Sequence, residues 1–269
     1  MEYKKPKATL LSASPLVIGE IAGRVCYDSF DLSENELVHT FRDNPEYLAE
    51  LLEKGYDIKD SKLLDKLINV FFHESVAEHI NLTFHVEDIS REVIIEWNRT
   101  RIGMPTSQKS SRYTIEGLIE AWIDWNEAQN GTDIDLMDLT TDKFTELVKL
   151  NSVHEDDDLI SITSFYISGC LTRYNEEEPL KKGLKGGTKK RQNDRVKRCL
   201  PESWMTEGIW TFNLRSLKHF LELRSSGSAY YGIREIAEAL KEQTPHKYRI
   251  LIDKKYRKEY FKDSDENKD

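Results

Sequence analysis

The stretch from Asn98 to Thr114, NRTRIGMPTSQKSSRYT, decides how the chain is interpreted, because it follows an apolar segment and is itself strongly polar. The apolar segment, REVIIEW (91–97), has helical spacing, and Ser90 before it is a typical N-cap. The stretch then combines hydroxyl side chains with four cations, which are Arg99, Arg101, Lys109 and Arg112. Two interpretations are open at this point: an exposed, solvated loop, or a site that binds an anion.

Strands and helices are predicted on both sides of this stretch. Strands are expected at ATLLSAS (8–14), INLTFHVEDI (80–89) and GIWTFNL (208–214), which are rich in β-branched and aromatic residues. Apolar periodicity predicts helices over 15–27, 35–53, 62–72, 91–101, 142–149, 159–172, 215–223 and 229–242. A few strands among dominant helices indicate an α+β, or mixed α/β, fold. We expect one domain over residues 1–252, with a longer middle region (about 115–194) and a charged tail (253–269) that frays.

Composition excludes several classes of protein. The chain has 269 residues, of which 38% are hydrophobic and 32% charged, as in globular proteins with much solvated helix surface. Its formal charge of −9 argues against non-specific coating of nucleic acid, which rests on positive charge. No apolar run is long enough for a transmembrane helix, and the N-terminal segment does not resemble a signal peptide. Three widely separated cysteines fit a reducing cytoplasm and provide no disulfide framework.

Three local patterns are candidate ligand sites. His73, His79 and His85 are six residues apart, a spacing that does not place them on one helical face, so no metal is expected. The cluster GLKGGTKK (183–190) lacks the spacing of a phosphate-binding loop, and no G-x-G-x-x-G occurs. The basic segment 181–198 is either a solvated loop or a contact for nucleic acid or another polyanion. The net charge makes nucleic acid the less favoured partner.

The second half of the chain carries WTFNLRSLKHFLELRSSGSA (210–229). Arg215 and His219 are four residues apart and therefore share a helical face. Arg224 at the end of this helix either complements the helix dipole or binds a planar polar ligand with two hydrogen bonds. Neither a nucleophile elbow nor a C-x-x-C motif is present. Glu74, Glu78 and Glu96 are unspecific acid–base candidates.

Four blocks together resemble the flavin-dependent thymidylate synthase family. HESVAEHINLTFHV (73–86) resembles that family's H-E-x-x-x-E-H-x-x-F-T-F motif, and RTRIGMPTSQKSSRYT (99–114) resembles R-H-R-x7-S followed by G-R-Y-S. The segment 200–229 is similar to L-P…T-x-N-x-R-S-L-x-x-F-L-x-x-R-x-x-x-x-A, and GRVCYDSF (23–30) to A-R-V-S-[FY]-D. The blocks are collinear over about residues 10–240, so the chain is identified as a divergent, virus-like member.

The resemblance implies a specific fold and reaction. It implies a flavin-dependent thymidylate synthase-like fold, with a central sheet flanked by helices, assembled as a cytoplasmic homotetramer with shared active sites. The cofactor is FAD, and methylene-tetrahydrofolate and NADPH are co-substrates. The reaction transfers a one-carbon unit to C5 of a pyrimidine deoxynucleotide, by default from dUMP to dTMP. No protein nucleophile attacks the base, in agreement with the absence of a nucleophile motif, so the protein supplies positioning and electrostatics.

The resemblance also implies roles for individual residues. Those matching flavin contacts are His73, Glu78, Arg99, Arg101, Asn213, Arg215 and His219. Those matching nucleotide contacts are Glu96, Arg99, Ser110, Ser111, Arg112, Arg198 and Arg224, with Lys197 as an alternative to Arg198. Within these sets, Arg224, Ser110 and Arg99 are expected to act on the reacting groups.

Departures from the family pattern leave alternatives open. Thr100 replaces the motif histidine, one residue is inserted before Ser110, and a flavin-contacting histidine is replaced by Ser228. His219 stands where the family has asparagine, and Glu96 where it has glutamine. A carboxylate at position 96 suits the N4 donor of cytosine, so dCMP as substrate is one alternative and hydroxymethylation is another. A catalytically inactive relative that binds nucleotide or nucleic acid is the third.

Overall fold

The computed structural model describes residues 3–99, 103–128 and 143–266, with side chains described as far as residue 261. The strands are β1 (Lys7–Ala13), β2 (Asn81–Ser90), β3 (Thr106–Gln108) and β4 (Met205–Asn213). The helices of the first half are α1 (Val17–Tyr27), α2 (Glu36–Asp43), α3 (Pro45–Glu53), α4 (Lys62–Asn69), α5 (Arg91–Trp97), α6 (Ser111–Thr114) and α7 (Glu116–Ala128). Those of the second half are α8 (Lys143–Asn151), α9 (Asp157–Glu177), α10 (Gly186–Val196), α11 (Leu214–Arg224), α12 (Tyr231–Gln243), α13 (His246–Ile252) and α14 (Lys254–Glu266).

The strands form one antiparallel sheet in the order β1-β2-β4-β3. Helices dominate the rest of the chain, so the prediction of a mixed α/β fold with a central sheet is confirmed. The short edge strand β3 lies within the stretch quoted above and was not predicted. None of the helices in the described residues is both long and apolar enough to cross a membrane.

The chain divides into two compact units, each assembled from separate segments. The first unit comprises Met1–Pro6, Glu87–Trp97 and Gln108–Gly208, and the second comprises Lys7–Val86, Asn98–Ser107 and Ile209–Asp269. The stretch 98–114 therefore contributes its first ten residues to the second unit and the remainder to the first. A single domain over residues 1–252 stays a prediction.

The core of the second unit places α11 against the sheet. Phe212 of β4 contacts Phe84 of β2 and Phe220 of α11, with ring centroids 6.3 and 5.7 Å apart. All three rings are fully buried. Because burial of apolar surface is the main force that holds a helix on a sheet, these rings fix the side of α11 that faces inward. The opposite side of α11 is left to present polar residues.

The core of the first unit is built by the middle region of the chain. Buried residues of α7, α8 and α9 form one cluster, among them Trp122, Trp125, Phe144 and Leu171. The indole N–H of Trp122 donates to the hydroxyl of Ser168 at 3.1 Å. Helix α7 was not predicted, although its apolar residues have the helical spacing that would have indicated it.

Two predicted helix boundaries were wrong because of local backbone chemistry. The predicted helix 35–53 is two helices that meet at Asn44 and Pro45, where proline disfavours helical backbone in the residue before it. The Asn44 side chain accepts from the backbone N–H of Tyr47 at 3.1 Å and caps α3. The predicted helix 62–72 ends at Asn69, and Phe72 has a positive φ of 58°.

The basic segment 181–198 was expected to be a loop, and most of it is helix α10. This helix is polar on nearly all sides, and such helices depend on charge pairs with their neighbours. Arg195 pairs with Glu178 at 2.6 Å, and Lys189 pairs with Glu116. The buried Asn193 donates to the backbone carbonyl of Arg112 at 2.8 Å.

The charged tail was expected to fray, and over residues 254–266 it forms helix α14. Arg257 donates two hydrogen bonds to the carboxylate of Asp65, at 2.6 and 2.7 Å. A bidentate guanidinium–carboxylate pair is stronger than a simple surface ion pair, because two charge-assisted bonds form in one plane. This pair joins α14 to α4 within the second unit.

Candidate functional site

A cavity of about 930 Å³ lies in the second unit beside α11, and we call it the α11 cavity. It brings together six of the residues predicted for the site: Glu78, Arg99, Asn213, Arg215, His219 and Arg224. Five other residues line it: Glu74, an unspecific acid–base candidate in the sequence, Ser228, noted there as a departure from the family pattern, and Ser216, Leu223 and Ala229, to which the sequence did not point. The arginines, the amide and the hydroxyls make the wall rich in hydrogen-bond donors, which suits an anionic ligand.

Helix α11 supplies one wall of this cavity. Arg215, His219 and Leu223 are each four residues apart, so they project from the same side of the helix. The helix begins at a capped N-terminus, where the side-chain oxygen of Asn213 accepts from the backbone N–H of Ser216 at 2.8 Å. Asn213 is therefore held in place by the helix that it caps, and its amide nitrogen is oriented away from that bond.

Gly103 of the polar stretch packs closely against this N-cap. The carbonyl of Gly103 accepts from the backbone N–H of Asn213 at 3.2 Å. Gly103 has a φ of +63°, and a Cβ atom there would lie 2.3 Å from Nδ2 of Asn213 and 2.6 Å from Oγ of Ser216. Only glycine satisfies both the backbone angle and the close approach. Pro105 continues the contact, since its carbonyl accepts from the N–H of Thr211 at 3.1 Å.

Charged side chains form a connected network at the edge of the cavity. The guanidinium of Arg215 pairs with Glu78 and, through Nε at 3.6 Å, with Glu74. Glu74 also pairs with the ammonium of Lys218, whose side chain is buried. Both carboxylates belong to the 3₁₀ helix Glu74–His79, so this short helix and α11 hold Arg215 between them.

A smaller cavity of about 340 Å³ in the same unit contains His73. It shares Glu74 and Arg215 with the α11 cavity. The hydroxyl of Tyr27 is hydrogen-bonded to Nδ1 of His73, and their rings are stacked with centroids 6.2 Å apart. The sequence singled out His73 but not Tyr27, which is the residue that fixes the orientation of the imidazole.

Several of the other predicted residues belong to the first unit. Arg112 pairs with Asp194 at 2.7 Å, and Ser110 precedes the short helix α6 that carries Ser111 and Arg112. A hydrogen bond from Lys197, together with the nearby charge of Arg112, holds the pKa of Asp194 below its usual range. Arg198 is exposed in this unit.

Two further predicted residues are Glu96 and Arg101. Glu96 is half-buried on α5 of the first unit. Arg101 lies outside the described residues, as does Thr100. The prediction that the site holds no metal stays a prediction.

Another cavity, of about 250 Å³, lies within the first unit. Its lining includes Lys109, Ser111 and Thr114 from the polar stretch and Ile94 and Trp204 from apolar segments. The end of the quoted stretch therefore faces a concave surface, as its beginning does in the second unit.

Comparison with known proteins agrees with these observations. The family model described as "Thymidylate synthase complementing protein" matches residues 9–247. Flavin-dependent thymidylate synthase of Wolinella succinogenes is 32% identical over 248 residues, which cover 91% of this chain and 96% of the relative. The enzyme of the same name from Campylobacter jejuni is also 32% identical over 248 residues, covering 91% and 95% of the two chains.

The chain belongs to the flavin-dependent thymidylate synthase family.

A solved structure of this family has the same fold. The crystal structure of thymidylate synthase X from Helicobacter pylori with FAD and dUMP superposes with a TM-score of 0.64 at 25% identity. The match covers 92% of this chain and 97% of that one. The similarity therefore includes the middle region of this chain, which the sequence motifs had left unmatched.

Two of the departures from the family pattern lie in the α11 cavity. His219 and Ser228 line the same α11 cavity, so both differences fall on one concave surface of this family member. Ser228 is hydrogen-bonded through its hydroxyl to that of Ser226 at 2.9 Å. These two substitutions change the lining of the cavity while its arginines are kept.

Proposed function

We propose that this protein uses FAD to transfer a one-carbon unit from methylene-tetrahydrofolate to C5 of dUMP, forming dTMP, with NADPH as reductant. The observation that carries the proposal is the α11 cavity, which gathers Arg99, Asn213, Arg215 and Arg224 in a chain of this family. The curated relatives are named for this activity, and the Helicobacter pylori structure contains FAD and dUMP.

The residues of the cavity fit a flavin dinucleotide. A volume of about 930 Å³ is at the upper end of the range for small-molecule sites. Arginines and a capped asparagine provide charge-assisted donors for phosphate oxygens and for the polar edge of a ring system. Gly103 brings the backbone of the polar stretch against Asn213, which a larger residue would prevent.

We assign roles to the chain's residues from this arrangement. Glu78, Asn213 and Arg215 hold the flavin, and His73, oriented by Tyr27, lines the adjacent smaller cavity. When bound, FAD supplies the hydride that the transferred carbon needs. Arg224 binds the polar edge of the pyrimidine and favours the negative charge that develops on the ring during attack from C5.

The proposed contacts of the nucleotide phosphate are three consecutive residues of the polar stretch. Ser110, Ser111 and Arg112 provide two hydroxyls and a guanidinium on consecutive residues. Asp194 keeps the Arg112 side chain in one position through their ion pair. In this proposal phosphate binding orients the nucleotide, and its binding energy contributes to positioning C5 for reaction.

A cysteine nucleophile is not part of the proposal. Burial raises the pKa of the Cys199 thiol to about 12, with a further contribution from the nearby Cys170, so the reactive thiolate is not formed near neutral pH. Positioning and electrostatic stabilisation are therefore assigned to the arginines and to the hydrogen-bonding side chains of the two cavities.

We also infer a cytoplasmic homotetramer. Large apolar side chains are exposed in both units: Ile162, Phe165 and Tyr166 lie along one side of α9, and Val70, Phe71 and Phe72 follow α4. Contiguous exposed apolar surface is typical of subunit interfaces. Light scattering coupled to size-exclusion chromatography tests this directly: a mass near four times that of the chain supports it, and a monomer contradicts it.

The first experiment on the proposed function is flavin content. The purified protein is expected to be yellow, or to take up close to one FAD per chain in a fluorescence titration. Failure to bind FAD, together with salt-sensitive binding of nucleic acid, would support the inactive-relative alternative instead.

The second experiment identifies the base and the product. The protein is incubated with methylene-tetrahydrofolate and either dUMP or dCMP, with and without NADPH, and the nucleotide is weighed by mass spectrometry. Addition of a methyl group to dUMP that depends on NADPH is the expected result. A hydroxymethyl product, or reaction with dCMP alone, would replace the default reaction with one of the two alternatives, and unmodified nucleotide in every mixture would refute the enzyme proposal.

A further inference from the structure

A buried cation on α11 has no role in the proposed reaction. The side chain of Lys218 is 5% exposed, and it lies on the helix that supplies Arg215 and His219 to the α11 cavity. Lysine is rarely buried to this extent unless it is paired, because removing an ammonium from water is costly. A buried lysine at this position therefore needs an ion-pair partner that offsets the cost of its burial.

The partner of Lys218 is Glu74, and Glu74 also contacts Arg215. Oε1 of Glu74 accepts from Lys218, and Oε2 lies 3.6 Å from Nε of Arg215. Arg215 in turn donates to Glu78 through a second nitrogen. The exposed fractions of the side chains rise along this chain of contacts, from 5% at Lys218 through 25% at Glu74 to 50% at Arg215. The contacts thus run from the interior to the mouth of the cavity.

The charges of these four groups cancel. Two cations, Lys218 and Arg215, are matched by two carboxylates, Glu74 and Glu78. Without Lys218 the group would carry a net negative charge at the wall of a cavity that is proposed to bind an anion. Glu74 would also have Arg215 as its only cation within this network, so the guanidinium would be drawn towards the interior.

We propose that Lys218 is a positioning residue for the anionic cofactor: it neutralises Glu74, so that Arg215 stays at the mouth of the cavity and remains able to bind FAD. This inference rests on the proposed function, since FAD is the anion in question. Lys218 does not line the cavity, and it acts through Glu74 and Arg215.

The test compares Lys218→Met with the matched control Lys241→Met. Lys241 also pairs with a glutamate, Glu238 at 2.8 Å, and its side chain is 14% exposed, but it lies on α12 away from the cavity lining. The FAD dissociation constant is measured by flavin fluorescence at a temperature where each variant is folded, and the unfolding temperature is recorded separately. An added negative charge at this distance is expected to weaken FAD binding roughly tenfold in Lys218→Met. The control is expected to bind FAD like the unaltered protein.

The double variant Glu74→Gln/Lys218→Met removes both charges of the buried pair. The remaining pair of Arg215 and Glu78 is neutral, so FAD affinity is expected to recover to within about threefold of the unaltered protein. This variant also provides the test if Lys218→Met fails to fold, because it leaves no lone charge in the interior. An unchanged dissociation constant in Lys218→Met, or roughly tenfold weaker binding in the double variant, would overturn the inference.

These outcomes are distinct from a failure of the proposed function. If the unaltered chain does not bind FAD, the proposed function is refuted and this inference with it. If the unaltered chain binds FAD and Lys218→Met binds it equally well while unfolding at a lower temperature, Lys218 has a structural role only.

Discussion

The α11 cavity and the surface of α10 are both rich in cations, and the structure uses them differently. On α10, Lys189 and Arg195 pair with carboxylates of neighbouring segments, and no residue of this helix lines any of the cavities described above. In the α11 cavity, Arg99, Arg215 and Arg224 line a concave volume of about 930 Å³. A high density of cations therefore does not mark an anion site by itself, whereas convergence of cations on a cavity does.

The largest expected effect is at Arg224. Arg224→Ala removes the only side chain that we propose binds the polar edge of the pyrimidine. The kcat/KM for dUMP is therefore expected to fall by a factor of roughly 100 to 1000. Initial rates of dTMP formation measure this. Arg42→Ala is the control, because Arg42 is an exposed guanidinium of the same unit that pairs with Asp28 at 3.9 Å. An equal loss in both variants would remove the special role of the cavity arginine.

Gly103 provides the next test of the cavity. Gly103→Ala combines an unfavourable φ with a steric clash against Asn213, so we expect a loss of about 2–4 kcal/mol of stability and weaker FAD binding. Gly55→Ala is the matched control: its φ is +85°, but nothing lies within 4 Å of an added Cβ, so only the backbone cost of about 1 kcal/mol is expected. Urea unfolding and FAD titration separate the two, and similar results for both would show that the close approach at Gly103 is relaxed easily.

Arg112 of the first unit is expected to matter for binding more than for chemistry. Arg112→Ala should raise the KM for dUMP about tenfold to a hundredfold, with kcat within a factor of about three, because a phosphate contact is kept throughout the reaction. Arg173→Ala is the control, since Arg173 forms an exposed pair with Glu176 at 2.7 Å in the same unit. A fall in kcat with an unchanged KM would argue against a phosphate contact.

The pair of Asp65 and Arg257 predicts a pH dependence of stability. Burial acts to raise the pKa of Asp65, but hydrogen bonds from Arg257 and Asn69 outweigh it and hold the pKa below its ordinary value. A lowered pKa in the folded state means that the pair stabilises the protein above about pH 4 and that this contribution is lost as the pH falls through the folded-state pKa. Asp65→Asn is therefore expected to cost about 1–2 kcal/mol at pH 7 and less at pH 3, which lies below the ordinary pKa of aspartate.

Urea unfolding at the two pH values measures this difference, with Asp60→Asn, at an exposed position, as the control. A cost for Asp65→Asn that does not change between pH 7 and pH 3 would contradict the assignment of the stabilisation to this ion pair.

The smallest effect is expected on α10. Lys185→Ala and Lys190→Ala remove exposed cations of the basic segment, and neither residue lines the α11 cavity. FAD and dUMP binding are expected to stay within about twofold of the unaltered protein. A loss of nucleotide binding in either variant would remove the distinction between the two cation-rich regions.

Much of the fold and of the site follows from local sequence patterns. The strands β1, β2 and β4 and the helix α11 were predicted from alternation and periodicity, because each has one apolar face that packs against a core. Arg215 and His219 were singled out by helical spacing and by the family motif, and Asn213 by the family motif alone. The structure places all three at one cavity.

The missed features depend on contacts that sequence spacing does not reveal. Helix α10 forms on the support of Glu116 and Glu178, which are distant in sequence from the cations that they pair with. Likewise α14 is held by Asp65, nearly two hundred residues away. Lys218 lies within a predicted helix, but its burial follows from a partner, Glu74, on another element. In each case the feature depends on an ion pair with a residue of another element, which sequence spacing does not indicate.

The three cysteines give the protein a chemical reporter of its own. Cys26 is exposed and lines the smaller cavity beside His73, whereas Cys199 is buried with a strongly raised pKa. A thiol-specific reagent at neutral pH will therefore modify Cys26 well before Cys199. If a ligand fills the smaller cavity, the rate of that modification will fall, so occupancy can be followed by mass spectrometry on the unaltered protein, without a dye or an engineered label.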